Sequence, residues 1–132
     1  MWKEINLTTQ SRNQFIDITA QVRAEIAKSD LKNGFCNLFI PHTTAGVTVN
    51  ENTDPNVIRD IINTLERLAP KSGQYQHSEG NSDAHIKASL IGSSCMIPIN
   101  NGQLNLGTWQ GIFFCEFDGP RNRKVKIQMF GA

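Results

Sequence analysis

The chain has 132 residues, of which 39% are hydrophobic and 8% aromatic, and its 13 basic and 12 acidic side chains give a formal charge of +1. This length predicts a single domain over residues 1–132. The near-neutral balance, with no run of Lys or Arg, argues against a protein held on nucleic acid or acidic lipid by phosphate charge. The longest apolar run, residues 112–115, is far too short for a membrane helix, and the first residues lack a signal-peptide core. We therefore expect a cytoplasmic protein without a membrane or nucleic-acid partner.

The first half of the chain predicts strands followed by a helix and two more strands. Residues 2–8 and 15–18 have short strand patterns. A helix is predicted over residues 20–31, with Thr19 as its N-cap, Val22 and Ile26 on its buried face, and Gly34 as the stop beyond it. Strands are then expected over residues 35–40 and 46–50, separated by a turn.

The second helix has the clearest boundary signals. Asp54 is suited to an N-cap, Pro55 to the first helical position, and Pro70 marks the end. Apolar residues recur with helical spacing, which predicts a core-facing stripe made of Ile58, Ile61, Ile62, Leu65 and Leu68.

A third, short helix and a series of hairpins are predicted for the rest of the chain. The helix spans residues 84–91, capped by Asn81, Ser82 or Asp83 and closed by Gly92. A strand follows over residues 95–99, the Asn-Gly pair at 101–102 predicts a tight hairpin, and residues 111–117 and 125–130 predict a last hairpin. The order favours an α+β fold, a mostly antiparallel β-sheet with about three helices packed on it.

Three cysteines, Cys36, Cys95 and Cys115, form no C-x-x-C pair and lie in apolar strand contexts. This favours reduced, buried thiols over a disulfide framework or a zinc ribbon. They are poor candidates for nucleophiles, because no base lies next to them in the sequence.

All three histidines, His42, His77 and His85, lie in segments that are otherwise rich in small polar residues. Neutral imidazole is a common metal ligand and titrates near neutrality, so the three form a first candidate site. The spacing alone leaves a second interpretation open, three independent surface histidines. Carboxylates accompany them: Glu51 follows His42 by one strand, and Glu79 and Asp83 lie between the other two.

Those carboxylates fit a role as base, acid or second partner of a histidine. Each also has a structural interpretation, since Asp83 can cap the third helix and Glu51 can end a strand in solvent.

Anion-binding groups occur as well. Arg121 and Arg123 lie in a tight turn, and Ser93 and Thr108 stand beside glycines. By itself, an Arg pair in a turn favours a solvated surface over a binding site, and for Trp109 packing is favoured over stacking on a ligand ring.

Three segments together resemble one known family. They are residues 42–46 (HTTAG) with Glu51 and Asp54, residues 77–90 (HSEGNSDAHIKASL), and residues 107–112 (GTWQGI) with 118–121 (DGPR). They are similar to the YjbQ-like family, also called the secondary thiamine-phosphate synthase family, over nearly the whole chain.

The resemblance implies a small α+β fold that assembles as a homotrimer, with the shared polar residues near a subunit boundary. It implies an activity that joins a pyrimidine diphosphate to a thiazole phosphate and releases pyrophosphate, regarded as secondary. It also implies a metal site, and histidine ligands favour zinc, with magnesium or manganese as further possibilities. The candidate site residues are the metal ligands His42, His77 and His85, the catalytic residues Glu51, Glu79, Asp83 and Arg121, and the substrate-binding residues Thr43, Thr44, Asn81, Lys87, Ser93, Thr108, Trp109, Gln110 and Arg123.

Two other functions stay open at this point. One is a metallohydrolase acting on a small phosphorylated or amide substrate, with Glu79 or Glu51 as the base. The other is a non-catalytic ligand-binding trimer whose polar segments build contacts between subunits.

Overall fold

The computed structural model describes residues 2–132, which fold into strands and three helices. The strands are β1 (Trp2–Thr8), β2 (Gln14–Asp17), β3 (Gly34–Phe39), β4 (Ala45–Glu51), β5 (Ser94–Asn100), β6 (Gln103–Leu104), β7 (Gln110–Glu116) and β8 (Asn122–Gly131). The helices are α1 (Thr19–Lys28), α2 (Pro55–Leu68) and α3 (Ser82–Ile91). The strands form two sheets, ordered β1-β8-β3-β5-β6 and β2-β7-β4, and every pair is antiparallel. The predicted α+β class with three helices is confirmed.

The three-stranded sheet is the middle layer of the molecule. Its central strand β7 is buried along its whole length after Gln110. Ile112 and Phe114 point toward the five-stranded sheet and join the main core, whereas Phe113 and Cys115 pack under α2 and α3. A strand that is covered on both faces consists of consecutive apolar residues, which explains why β7 lacks the alternation of apolar and polar residues seen in half-buried strands.

The last predicted hairpin is wrong, because β7 and β8 lie in different sheets. β8 is inserted between β1 and β3, and its alternating Val125, Ile127 and Met129 face the core. The connecting turn binds the β1–β2 loop instead of folding back: the Thr9 N–H donates to Arg121 O at 2.9 Å, and the Arg121 N–H donates to Thr9 Oγ1 at 2.9 Å. These bonds direct the chain from one sheet to the other.

The boundaries predicted for α1 are also wrong. Thr19 is the first helical residue and not the cap, and Asp17 Oδ1 accepts hydrogen bonds from its N–H and hydroxyl. The helix ends at Lys28, well before Gly34, which begins β3. Gly34 is required for a different reason, since a Cβ there would lie 1.8 Å from Phe130 O on the neighbouring strand. The predicted buried face, Val22 and Ile26, is confirmed.

Helix α2 begins as predicted, but its apolar stripe is only partly core. Asp54 Oδ1 accepts the Asn56 N–H at 2.9 Å, and Pro55 is the first helical residue. Leu65 alone of the stripe is buried, whereas Leu68 is exposed and the three isoleucines, Ile58, Ile61 and Ile62, are half-buried. Leu65, Ile58 and Ile61 are the stripe residues that pack into the core cluster beneath α2 and α3.

Helix α3 and the β5–β6 hairpin are present as predicted, although α3 begins at Ser82, two residues before the predicted start, and the Asn81 side chain makes no capping hydrogen bond. α3 ends at Gly92, whose positive φ of 103° places it in the region that glycine adopts most readily. Asn101 and Gly102 both have positive φ, as a tight Asn-Gly hairpin requires.

The thiols are free, as predicted: Cys36 and Cys115 are buried and Cys95 is half-buried. Burial raises the pKa of Cys36 to about 12, which leaves the thiol protonated and unreactive. Within residues 2–132, no helix is long and apolar enough to cross a membrane.

Candidate functional site

A cleft of about 520 Å³ lies between the loop that joins β3 to β4 and the C-terminal half of α3. We call it the α3 cleft. Its lining is His42, Thr43, Ala45, His85, Ala88, Ser89, Gly92 and Ser93. It brings together His42, Thr43, His85 and Ser93 of the predicted site, which come from three separate parts of the sequence.

Backbone contacts hold the two walls of the α3 cleft together. The Ile40 N–H donates to Ser93 O at 2.8 Å, and the Val47 N–H donates to Gly92 O at 3.1 Å. Gly46 permits this approach, because a Cβ there would lie 2.6 Å from Gly92 O. The cleft is therefore preformed by the fold of this one chain.

The outer face of α3 supplies His85 and Ser89 to the polar lining of the cleft. Ser82, His85 and Ser89 are spaced by three and four residues and so share this face. The Ser89 hydroxyl donates to His85 O at 3.0 Å, which leaves its oxygen free to accept.

His42 has a defined hydrogen-bonding role. Its Nε2 accepts the Lys124 backbone N–H at 2.9 Å, so the neutral ring carries its proton on Nδ1. Burial and the charge of Arg123 lower the pKa of His42, which favours that neutral form. The ring therefore presents one N–H donor and has no free lone pair for another partner.

The side chains of His77 and His85 lie against each other. Their ring centroids lie 5.4 Å apart with perpendicular planes, and His77 Nε2 is 3.5 Å from Glu79 Oε2. Both members of the His77–Glu79 pair are largely exposed, so its effect on stability is small.

The histidines do not fit the single ion site that the resemblance implies. Residues 2–132 contain no group of three or more His, Cys, Asp or Glu side chains arranged to hold a metal ion. In His42, Nε2 accepts the Lys124 N–H and Nδ1 carries the ring proton, so neither nitrogen of the neutral ring has a free lone pair for a metal ion. We therefore derive no chemical step through a metal.

The inner face of α3 holds a buried network of charges. The Asp83 carboxylate is 0% exposed and accepts hydrogen bonds from both terminal nitrogens of the Arg12 guanidinium, at 2.8 and 3.0 Å. It also accepts a hydrogen bond from Lys87 Nζ at 2.9 Å. Lys87, 1% exposed, also donates to Glu66 Oε1 at 2.6 Å. Burial by itself would raise the pKa of Asp83, but the hydrogen bonds from Arg12 and Lys87 outweigh it and lower the pKa to about 2.

The side chains of Asp83 and Lys87 are therefore already paired with charged groups inside the protein. A direct contact between either side chain and a substrate requires these pairs to open.

A second buried ion pair lies between the sheets. Arg123 donates to Glu116 through Nε at 2.8 Å and also through its terminal nitrogen, which in addition donates to Thr44 Oγ1 at 2.8 Å. The Thr9 hydroxyl donates to Glu116 Oε1 at 2.8 Å. Burial would raise the pKa of Glu116, but these donors keep it lowered. The predicted substrate-binding residues Thr44 and Arg123 therefore have internal partners here.

The Asp118 turn holds Asn81 and Arg121. Asn81 Nδ2 donates to Asp118 Oδ2 at 2.9 Å, and the Arg121 guanidinium donates to the backbone and side-chain oxygens of Asp118 at 2.8 and 3.1 Å. Arg121 is largely exposed, and neither Asn81 nor Arg121 lines the α3 cleft.

Glu51, Thr108, Trp109 and Gln110 lie at the other end of the three-stranded sheet. Glu51 pairs with Gln110 in the β4–β7 register, whereas Ala45, beside the α3 cleft, pairs with Glu116. The two ends of β4 are roughly 20 Å apart at ~3.3 Å per residue. Trp109 is 60% exposed and lines none of the described clefts. A single chain therefore keeps Glu51, Thr108, Trp109 and Gln110 apart from the residues of the α3 cleft.

Some residues of these arrangements were missed by the sequence analysis. Ser89 had a signal, since it follows His85 by four residues on a predicted helix. Arg12, Glu66 and Glu116 had none, because their partners are distant in sequence and buried charge pairs leave no local pattern.

The chain is similar to proteins of one family along its whole length. The family described as UPF0047 protein YjbQ-like matches residues 3–132. A UPF0047 protein of Methanocaldococcus jannaschii is 51% identical over 95% of this chain and 91% of its own length. UPF0047 protein YugU of Bacillus subtilis is 44% identical over 99% and 100%.

Solved structures agree with these relatives. A YjbQ/UPF0047 family protein from Clostridium acetobutylicum is 55% identical, with a TM-score of 0.95 over 97% of this chain and 99% of that one. A YbjQ-like protein from Sulfolobus solfataricus P2 is 32% identical, with a TM-score of 0.96 over 100% and 97%. The sequence match and the shared fold together establish that this chain belongs to the YjbQ-like UPF0047 family.

Proposed function

We propose that this protein is an enzyme that binds a small phosphorylated substrate in the α3 cleft. The reaction we propose joins a pyrimidine diphosphate to a thiazole phosphate and releases pyrophosphate, as a secondary activity. The observation that carries the proposal is the convergence of hydroxyl and imidazole groups from three chain segments in one preformed cleft.

The chemistry of the lining supports binding of phosphate oxygens. Thr43 and Ser93 each contribute a hydroxyl donor, and His42 in its neutral form contributes an N–H donor. In the proposed reaction a bond forms between the pyrimidine methylene carbon and the thiazole nitrogen as the carbon–oxygen bond to pyrophosphate breaks. Donors fixed around the departing oxygen stabilise the charge that develops on it.

We further propose that the working form is a homotrimer. The α3 cleft has no Lys or Arg in its lining to balance the negative charge of pyrophosphate, so the cleft of one chain is an incomplete site for it. The exposed group at Trp109 and Gln110 is too distant to reach the cleft of its own chain, but a neighbouring copy could bring it there.

The distribution of exposed apolar residues supports a ring of copies. One patch lies on the five-stranded sheet, and its members include Phe35, Phe39 and Met96. A different exposed apolar surface lies at the C-terminal end of α2, at Leu68. Contact between two unlike patches is head-to-tail, and a closed ring such as a trimer covers both on every chain.

The activity test is incubation of the protein with both phosphorylated precursors, with and without added divalent metal, followed by detection of thiamine phosphate and pyrophosphate. We expect product from the wild type and none above background from His85→Ala. Equal product from the two proteins would contradict the proposal, and binding of precursors without any product would favour a non-catalytic ligand-binding protein.

The assembly test is the solution mass. We expect a particle three times the 14.7 kDa chain mass by light scattering. A change of Phe35 to Asp should shift it toward one chain, because the charge would be buried in the interface. A wild-type particle with the mass of one chain would contradict the trimer.

A further inference from the structure

A second cleft adjoins the α3 cleft and has a different character. It measures about 400 Å³ and is lined by Tyr75, Gln76, His77, Ser82, His85 and Ile86. His85 lines both clefts, so they meet at this side chain. The α3 cleft has no large apolar side chain in its lining, whereas the second cleft combines the Tyr75 ring and the Ile86 side chain with the polar residues Gln76, His77 and Ser82.

The Tyr75 ring is held in place by its own loop. Its hydroxyl donates to Pro70 O at 2.5 Å. The ring lies against Gly73, since a Cβ at that position would be 2.7 Å from Tyr75 ring and hydroxyl atoms. With its hydroxyl bonded, the ring is free to offer its apolar surface. Ile86, 40% exposed on the outer face of α3, adds a second apolar surface.

The two clefts together match a ligand with an anionic end and a planar end. Ser82 in one cleft and Ser89 in the other are separated by about 10 Å along the helix at ~1.5 Å per residue. An aromatic ring carrying a phosphate or diphosphate on a short arm has a similar length.

We propose that the Tyr75–Ile86 cleft receives the aromatic ring of the phosphorylated substrate, with its phosphate in the α3 cleft. This inference rests on the proposed function and adds the specificity element to it. Tyr75 and Ile86 select ligands by their ring, and His85 stands at the junction, where the ring is joined to its phosphate.

The test compares phenyl phosphate with inorganic phosphate, by calorimetric titration of the full chain. We expect the wild type to bind phenyl phosphate about tenfold more tightly, because the ring is partly removed from water. Ile86→Ala and Tyr75→Ala should each reduce this preference severalfold and leave the affinity for inorganic phosphate within about twofold.

Leu90→Ala is the matched control. Leu90 lies one turn after Ile86, is also exposed, and lines neither cleft. It should keep the full preference. Ile86→Ala removes an exposed side chain, so it tests the inference even where Tyr75→Ala disturbs its loop.

The outcomes separate the two proposals. Binding of inorganic phosphate with equal affinity for phenyl phosphate in the wild type would overturn this inference and leave the proposed function standing. A preference that is unchanged in Ile86→Ala and Tyr75→Ala would also overturn it. If neither phenyl phosphate nor inorganic phosphate binds, this inference and the proposed function are both overturned.

Discussion

The two faces of α3 contain polar residues of the same short segment but use them in opposite ways. On the inner face, Asp83 and Lys87 are fully buried and every charge is paired with Arg12 or Glu66. On the outer face, His85 and Ser89 line an open cleft. The inner face joins α3 to α2 and to the loop between β1 and β2, and the outer face is left available for a ligand. A polar motif on a helix can therefore contain both a structural half and a binding half.

The largest effect should come from breaking the inner network. Lys87→Met leaves Asp83 and Glu66 without the ammonium between them, and we expect a loss of about 3 kcal/mol in the free energy of unfolding. Urea denaturation followed by circular dichroism measures this. Ser89→Ala, on the outer face, is the matched control and should stay within about 0.5 kcal/mol of the wild type. Equal free energies of unfolding for Lys87→Met and Ser89→Ala would contradict the different roles that we assign to the inner and outer faces of α3.

An acid titration should reveal the same network. The pKa of Asp83 is lowered to about 2 in the folded chain, below its ordinary value of 3.8. Its ionised form therefore contributes stability that is complete above about pH 4 and is lost as the pH falls toward 2. The shift corresponds to roughly 2 kcal/mol.

The measurement for this second prediction is the free energy of unfolding in urea at several pH values. Asp83→Asn should be less stable than the wild type at about pH 5 and should lose less between about pH 4 and 2. His85→Ala, which leaves the network intact, should follow the wild-type curve. The prediction fails if Asp83→Asn and the wild type decline in parallel.

The smallest expected effect concerns metal content. Since His42 Nε2 already accepts the Lys124 N–H, His42→Ala should leave the zinc content of the purified protein unchanged. Elemental analysis per chain measures this, with His77→Ala and His85→Ala analysed in parallel. Loss of bound zinc in all three variants would contradict this prediction and would support the single three-histidine site that the resemblance implied.

The sequence predicted the fold better than it predicted the site. Local signals such as Asp54 with Pro55 and the Asn-Gly pair at 101–102 act within a few residues, and the structure follows them. The pairing of β8 with β1 and β3 depends on contacts across the whole chain, so a hairpin was the wrong expectation.

The candidate site divides for the same reason. His42, His85 and Ser93 meet because β3, β4 and α3 pack together, which no local pattern indicates. Trp109 stays at the far end of β4, so the sequence motif joined residues that one chain keeps apart.

The most direct test of the central claim, that the outer face of α3 binds a phosphorylated ligand, is a titration with pyrophosphate followed by backbone amide NMR signals. We predict saturable shifts confined to Thr43, His85, Ser89, Ser93 and their neighbours in wild-type protein, and a strong reduction in His85→Ala. Saturable shifts at Arg121 and Asp118 instead, or no shifts at all, would contradict the account.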